Sequence, residues 1–75
     1  MPKLSPIRAR ELIRILEGKG FKQVRQKGSH IRMEHSDGRK TTVPMHSGEH
    51  VGVGLLRKIL RDSAISRSDF EQLRK

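Results

Sequence analysis

The chain has no cysteine, no tryptophan and no tyrosine among its 75 residues. The absence of cysteine excludes disulfides, a thiolate nucleophile and any zinc site that needs sulfur, and it fits a reducing compartment. Phe21 and Phe70 are the whole aromatic content, so nucleic-acid readers that stack bases on aromatic platforms are a poor fit. No hydrophobic run approaches the length needed to cross a bilayer, and Met1-Pro-Lys-Leu-Ser-Pro-Ile-Arg8 has no signal-peptide texture. The expected location is the cytoplasm. At this length we expect one domain, residues 1–75, with a core in which few apolar residues can be spared for anything but packing.

What the chain has in excess is positive charge. Seventeen Lys and Arg stand against eight Asp and Glu, a net charge of +9. A balance of this kind points to a polyanion: nucleic acid, an anionic membrane or an acidic protein partner. The cations concentrate between Lys19 and Lys40, where Lys22, Arg25, Lys27, Arg32 and Arg39 face only Glu34 and Asp37. That stretch reads as strands and not as a basic amphipathic helix, so nucleic acid is favoured over a membrane.

Hydrophobic spacing orders the elements. Ser5-Pro6 has the form of a helix start, followed by Ile7, Leu12, Ile13, Ile15 and Leu16, with Gly18 and Gly20 as stops. This predicts a first helix over residues 6–17. The segment from Phe21 to Glu34 alternates like a hairpin. A two-residue loop at Lys27-Gly28 sets Gln26 opposite Ser29, Arg25 opposite His30 and Val24 opposite Ile31. Phe21 breaks this parity. A three-residue loop at Ser36-Asp37-Gly38 sets Met33 opposite Thr41 and Ile31 opposite Val43, gathering Val24, Ile31, Met33 and Val43 on one face. The third strand then runs over 39–43 and ends at Pro44. Residues 44–53 read as a loop, followed by a helix from Gly54 that buries Leu55, Leu56, Ile59 and Leu60. Ser66-Arg-Ser-Asp69 resembles a capping box, with Ile65 and Phe70 as a hydrophobic staple, and predicts a short helix over 67–74 packing Phe70 and Leu73. The expected class is α+β, in the order α-β-β-β-α plus a short C-terminal helix. Helices cover one face of a three-stranded antiparallel sheet, and Gln23, Arg25, His30, Arg32, Glu34, Lys40 and Thr42 lie on the open face.

Within this frame one run carries chemistry. Gly28-Ser29-His30 joins a turn residue, a hydroxyl and an imidazole, with cations on both sides. RNA cleavage needs a base for the 2′-hydroxyl, an acid for the leaving 5′-oxygen and cations for the charged phosphorane. His30 suits either proton transfer, and Arg25, Lys27 and Arg32, with Lys22 and Lys40 beside them, suit the phosphates. A plain solvent-exposed histidine is the alternative reading of His30. Ser29 and His30 are neighbours on a strand and point to opposite faces, so no Ser–His dyad is expected; Ser29 more simply bonds backbone at the turn. His46 and His50 lie in a glycine-rich loop without an acidic cluster, and neither a metal nor another cofactor is expected.

These residues also resemble a family. Gly20-Phe21, Arg25-Gln-Lys-Gly-Ser-His30, Thr42-Val-Pro-Met-His46, Gly54, Arg57-Lys-Ile-Leu60 and the closing stretch Ser66 to Leu73 are similar to the HicA-type, or YcfA-like, toxins of bacterial toxin–antitoxin systems. The resemblance runs from about Leu4 to Leu73. It implies a double-stranded-RNA-binding-domain-like fold, ribosome-independent mRNA interferase activity, and a catalytic role for the Gly-Ser-His histidine, here His30. It further implies neutralisation by a HicB-type antitoxin, whose partial RNase H-like domain covers the site, and DNA contact only through the antitoxin complex. His46 falls on a motif position, as a structural partner of its loop or a second site residue. Two departures stand out: Leu55 replaces the usual threonine after the glycine that opens the second helix, and the loop from His46 is glycine-rich. The competing reading is a non-catalytic double-stranded-RNA-binding module.

Overall fold

A computed structural model describes residues 4–45 and 50–74. The elements are β1 (Ile7–Arg8), α1 (Ala9–Gly18), β2 (Phe21–Lys27), β3 (His30–His35), β4 (Lys40–Pro44), β5 (His50–Val51), α2 (Val53–Ser63) and α3 (Arg67–Arg74). Strands β2, β3 and β4 form an antiparallel sheet in that order, and β1 pairs with β5 as a separate antiparallel ribbon. The architecture is α+β, with the α-β-β-β-α order expected of the sequence. No helix among the described residues is long and apolar enough to cross a membrane.

The first helix starts later than its sequence suggests. Ser5-Pro6 does not cap it; Ile7 and Arg8 are extended and pair with Val51 and His50. Ile7 and Val51 are both buried, and burying two branched side chains outweighs the one bond a serine cap would contribute. From Ala9 the helix turns Leu12, Ile13, Ile15 and Leu16 into the core. Arg74 ties the two ends of the chain together. Its guanidinium donates to the Ser5 hydroxyl (2.9 Å), to Ser5 O (3.1 Å) and to Pro6 O (2.6 Å), and lies over the Phe70 ring.

The first hairpin differs from the expected one by a single residue. Gly28 and Ser29 form the loop, so Lys27 faces His30, Gln26 faces Ile31 and Arg25 faces Arg32. Gly28 has φ +59° and Ser29 does not share the positive φ, the pattern in which glycine is preferred at the first loop position. Further along β2 the register shifts between Gln23 and Arg25, a β-bulge at Val24. The extra residue restores parity for Phe21, which faces His35 and is buried. It also removes Val24 from the core, leaving it 52% exposed, and moves Gln23 from the open face to the row of Met33. The second hairpin has the expected register, with Met33 opposite Thr41 and Ile31 opposite Val43, and Gly38 takes a positive φ in its loop.

The core closes between the inner sheet face (Phe21, Ile31, Met33, Thr41, Val43) and the helices. On α2 the buried positions are Leu56, Ile59, Leu60 and Ser63, spaced as one helical stripe. The helix begins at Val53, and Leu55 falls off this stripe and is exposed, contrary to its expected place in the core. α2 ends with Ala64 in the left-handed conformation, where Ile65 N–H bonds Leu60 O and Ala64 N–H bonds Arg61 O. This Schellman arrangement brings Ile65 and Leu60 together in the core and aims the chain into α3. There the capping bond forms as expected, from Asp69 N–H to Ser66 Oγ (3.0 Å), with Phe70 fully buried. Leu73 stays 41% exposed at the rim of the α1–α3 contact and does not join the core.

Arg39 locks the second hairpin to both helix layer and core. It donates to Ser63 O at the end of α2, stands 5.2 Å from the Phe21 ring centroid and pairs with Asp37 at 2.8 Å. The Arg39 backbone N–H, then its side chain, hold the Asp37 carboxyl below its ordinary pKa of 3.8. The folded state therefore gains stability from ionised Asp37 above the unfolded value and loses it as pH falls through the lower, folded one. In paired denaturation curves, the stability gap between wild type and Asp37→Asn should be present near neutral pH and vanish in acid below the carboxylate range. Gly20 supplies a second test. It has φ +96°, and an added Cβ would stand 2.8 Å from His35 Nε2, whereas Gly28 has open space. Urea titration should find Gly28→Ala destabilised by about 1 kcal/mol, the strain of the left-handed backbone, and Gly20→Ala destabilised by clearly more.

Candidate functional site

Strand pairing turns the basic segment into a grid. On the sheet face away from the helices, Lys27, His30 and Pro44 make one row across β2, β3 and β4. Arg25, Arg32 and Thr42 make the next, and Lys22, Glu34 and Lys40 the third. A depression of about 720 Å³ lies on this face, lined by Val24, Arg25, Lys27, His30, Arg32, Glu34 and Thr42. Four residues singled out from sequence (Arg25, Lys27, His30 and Arg32) therefore meet around one concavity. Lys22 and Lys40 flank Glu34 in the outer row and do not line it.

His30 stands at the first position of β3, directly after the turn, and is exposed. Its cross-strand neighbour is Lys27 and not Arg25, because the loop is set one residue later than the spacing suggests. Ser29 sits in the turn, where its carbonyl accepts a bond from Met45 N–H. Among the described residues the side-chain bond bracing this turn comes from Gln26 Nε2 to Gly28 O (3.2 Å), not from the Ser29 hydroxyl. His46 lies outside the described residues. His50 is in β5 opposite Arg8, on the ribbon and not on the sheet face.

The electrostatics of the grid are unbalanced. Arg25 and Arg32 face each other across β2 and β3, an arrangement that destabilises a sheet when no anion is between them. The one carboxylate in the depression, Glu34, approaches Arg32 Nε at 3.6 Å, with both side chains nearly half exposed. Such a pair contributes little in water. The face is thus a preformed concentration of cations around one imidazole, able to hold a phosphodiester beside a group that can move a proton.

A family model described as the HicA toxin of bacterial toxin–antitoxin systems matches residues 9–65. The chain belongs to the HicA toxin family. The match opens at the first residue of α1 and closes just beyond α2, so it contains the whole three-stranded sheet and the basic depression. Membership makes the protein a toxin-family member whose kind is paired with an antitoxin. A comparison with curated proteins finds no match. Within this HicA domain the residue missed by sequence reasoning is Val24, which lines the depression instead of the core. The signal for it was Phe21: an aromatic out of phase with its own strand is the mark of an inserted residue.

The opposed arginines give a direct test. Because their repulsion is relieved when one charge is removed, Arg25→Gln should keep or raise the melting temperature, and the difference should shrink as salt is added. A marked fall in melting temperature at low salt would mean that Arg25 stabilises the sheet instead.

Proposed function

We propose that this HicA-family chain is an endoribonuclease toxin that cleaves mRNA without the ribosome, with His30 as the catalytic residue, and that a HicB-type antitoxin neutralises it in the cytoplasm. The observation that carries the reading is the convergence of Arg25, Lys27 and Arg32 around His30 in one open concavity. The family match supports the toxin role, and the histidine stands at the motif position that the resemblance makes catalytic.

The chemistry follows from the grid. An RNA strand lying across the face places a phosphodiester among Arg25, Lys27 and Arg32. The 2′-hydroxyl oxygen attacks the adjacent phosphorus, the P–O5′ bond breaks, and a 2′,3′-cyclic phosphate and a 5′-hydroxyl result. His30 either takes the proton from the 2′-hydroxyl or gives one to the departing 5′-oxygen, and water completes the other transfer. The cations hold the negative charge that grows on the phosphorane oxygens. Assistance from one acid–base group is worth roughly 100- to 10,000-fold, a modest rate that suits a toxin acting on abundant message. Lys22 and Lys40 extend the footprint along the strand, and Ser29 serves the turn.

A non-catalytic binder of double-stranded RNA is the second reading. Such modules engage successive minor grooves from their helices and loops, whereas the cation-rich concavity here is on the open sheet face around a titratable side chain. An acidic antitoxin surface would find the same face by charge, with fast and salt-sensitive association.

The decisive measurement is cleavage of single-stranded RNA by wild type and His30→Ala, with chelator present and folding checked by circular dichroism. Wild type should cleave, and His30→Ala should lose at least a hundredfold in rate while retaining RNA binding, in line with removal of one acid–base group. Full activity in the variant would reject the assignment. Duplex binding without cleavage by wild type would favour the binding module.

A further inference from the structure

Of the remaining residues lining the depression, Val24 and Glu34 are of no use to a phosphate, and Thr42 offers it a single hydroxyl donor. Thr42 is a neutral hydroxyl between Arg32 and the β4 edge. The other two call for an account, because each runs against its surroundings.

Glu34 places a carboxylate on the most cationic face of a chain of net charge +9. It repels the phosphates the face is built to hold. Lys22 and Lys40 flank it across the strands, but at an exposed surface such pairs add little to stability. The nearest cation, Arg32 Nε, is 3.6 Å away and both side chains are open to water, so the pair adds little to stability. Val24 is an apolar side chain left 52% exposed by the β-bulge. Bulges beside active sites re-aim a side chain, and this one turns Val24 out of the core and onto the wall of the same depression. An apolar surface and a carboxylate acceptor, lining one depression with a phosphate-binding cluster, match the two parts of a nucleobase: its flat face and its hydrogen-bonding edge.

We infer that Val24 and Glu34 form a base-reading subsite that selects, beside the scissile phosphate, a nucleotide whose base carries an exocyclic amino group and disfavours uracil. This rests on the ribonuclease reading above. Glu34 lies four residues from His30 on the same strand, about 13 Å at the usual strand rise, and both project to the open face. That offset sets the carboxylate on the far side of Arg32 from His30, at a neighbouring nucleotide. Arg32 lies between them on the same face, where it can hold the intervening backbone. A carboxylate accepts from the N4 amino group of cytosine, and the amino groups of adenine and guanine offer the same donor. Uracil presents one imide N–H between two carbonyl oxygens, which face a carboxylate unfavourably. Val24 contributes contact with the base or ribose and no choice between bases.

The test is the sequence profile of cleavage. A pool of single-stranded RNA with randomised positions is digested to low extent by wild type, Glu34→Gln and His30→Ala, and the cut ends are sequenced. Wild type should show uracil depleted at one position near the cut. Glu34→Gln keeps the shape but adds an amide donor that can meet a uracil carbonyl, so this depletion should relax about fivefold or more, the low end for one specific base contact. A general rise in cleavage on losing the negative charge would act on all sequences alike and leave the ratio unmoved, so the ratio isolates base reading. Cleavage by wild type with no uracil depletion, or a depletion unchanged in Glu34→Gln, would overturn this inference and leave the ribonuclease reading standing. No His30-dependent cleavage of any sequence would overturn both.

Discussion

One inserted residue sets the phase of this protein. Side chains alternate along a strand, so a shift of one position exchanges the buried and exposed sets. At the turn end of β2 the pairing puts Lys27 and Arg25 outward, and continued without interruption it would put Phe21 outward too. The bulge at Val24 resets the phase, so that Phe21 enters the core while Lys22 stays with the outward cations. Phe21 then supports more than its own volume. The Arg39 guanidinium stands over its ring and His35 meets it edge-on at 5.2 Å. Through Arg39 the second hairpin is bonded to the last turn of α2. The same local irregularity therefore seats the largest apolar side chain of the sheet and shapes the wall of the basic depression.

The two faces of the sheet are governed by opposite demands. The inner face meets helices through apolar contacts, and a chain this short has little surplus there. The outer face concentrates like charges, including two arginines directly opposed across strands. Exposure makes this tolerable: water and salt weaken the repulsion to a small penalty. A polyanion removes the penalty and adds favourable contacts at once. The charge pattern that is slightly unfavourable to the free fold is thus favourable to the complex, whether the anionic group is a phosphodiester or a carboxylate of a protein partner.

Legibility in the sequence followed locality. The second hairpin could be read because Asp37-Gly38 and the apolar alternation of β3 and β4 agree on one register. The third helix could be read because Ser66, Asp69, Ile65 and Phe70 lie within one turn of its start. The grouping of Arg25, His30 and Arg32 survived the one-residue error in the first loop, since these three face outward in either register, while Lys27, expected in the loop, joins them as the last residue of β2. Three features were hidden for physical reasons. The bulge leaves no composition signal beyond the misplaced phase of Phe21. The β1–β5 ribbon depends on a partner distant in sequence, so Ser5-Pro6 looked like a cap with nothing local to argue against it. Leu55 and Leu73 are apolar residues in helices whose buried stripe is set by which neighbours they meet, and periodicity alone did not decide that.

The Arg74 clasp bears on the order in which the chain assembles. The two hairpins join residues close in sequence and need little loop-closure entropy, whereas Arg74 and Ser5 are 69 residues apart. The ribbon of Ile7 with Val51 also waits on a distant segment. Local contacts form early and distant ones late when no other force intervenes. The sheet, with its basic face, thus rests on pairings local in sequence, whereas the clasp between Arg74 and Ser5 carries the larger loop-closure cost.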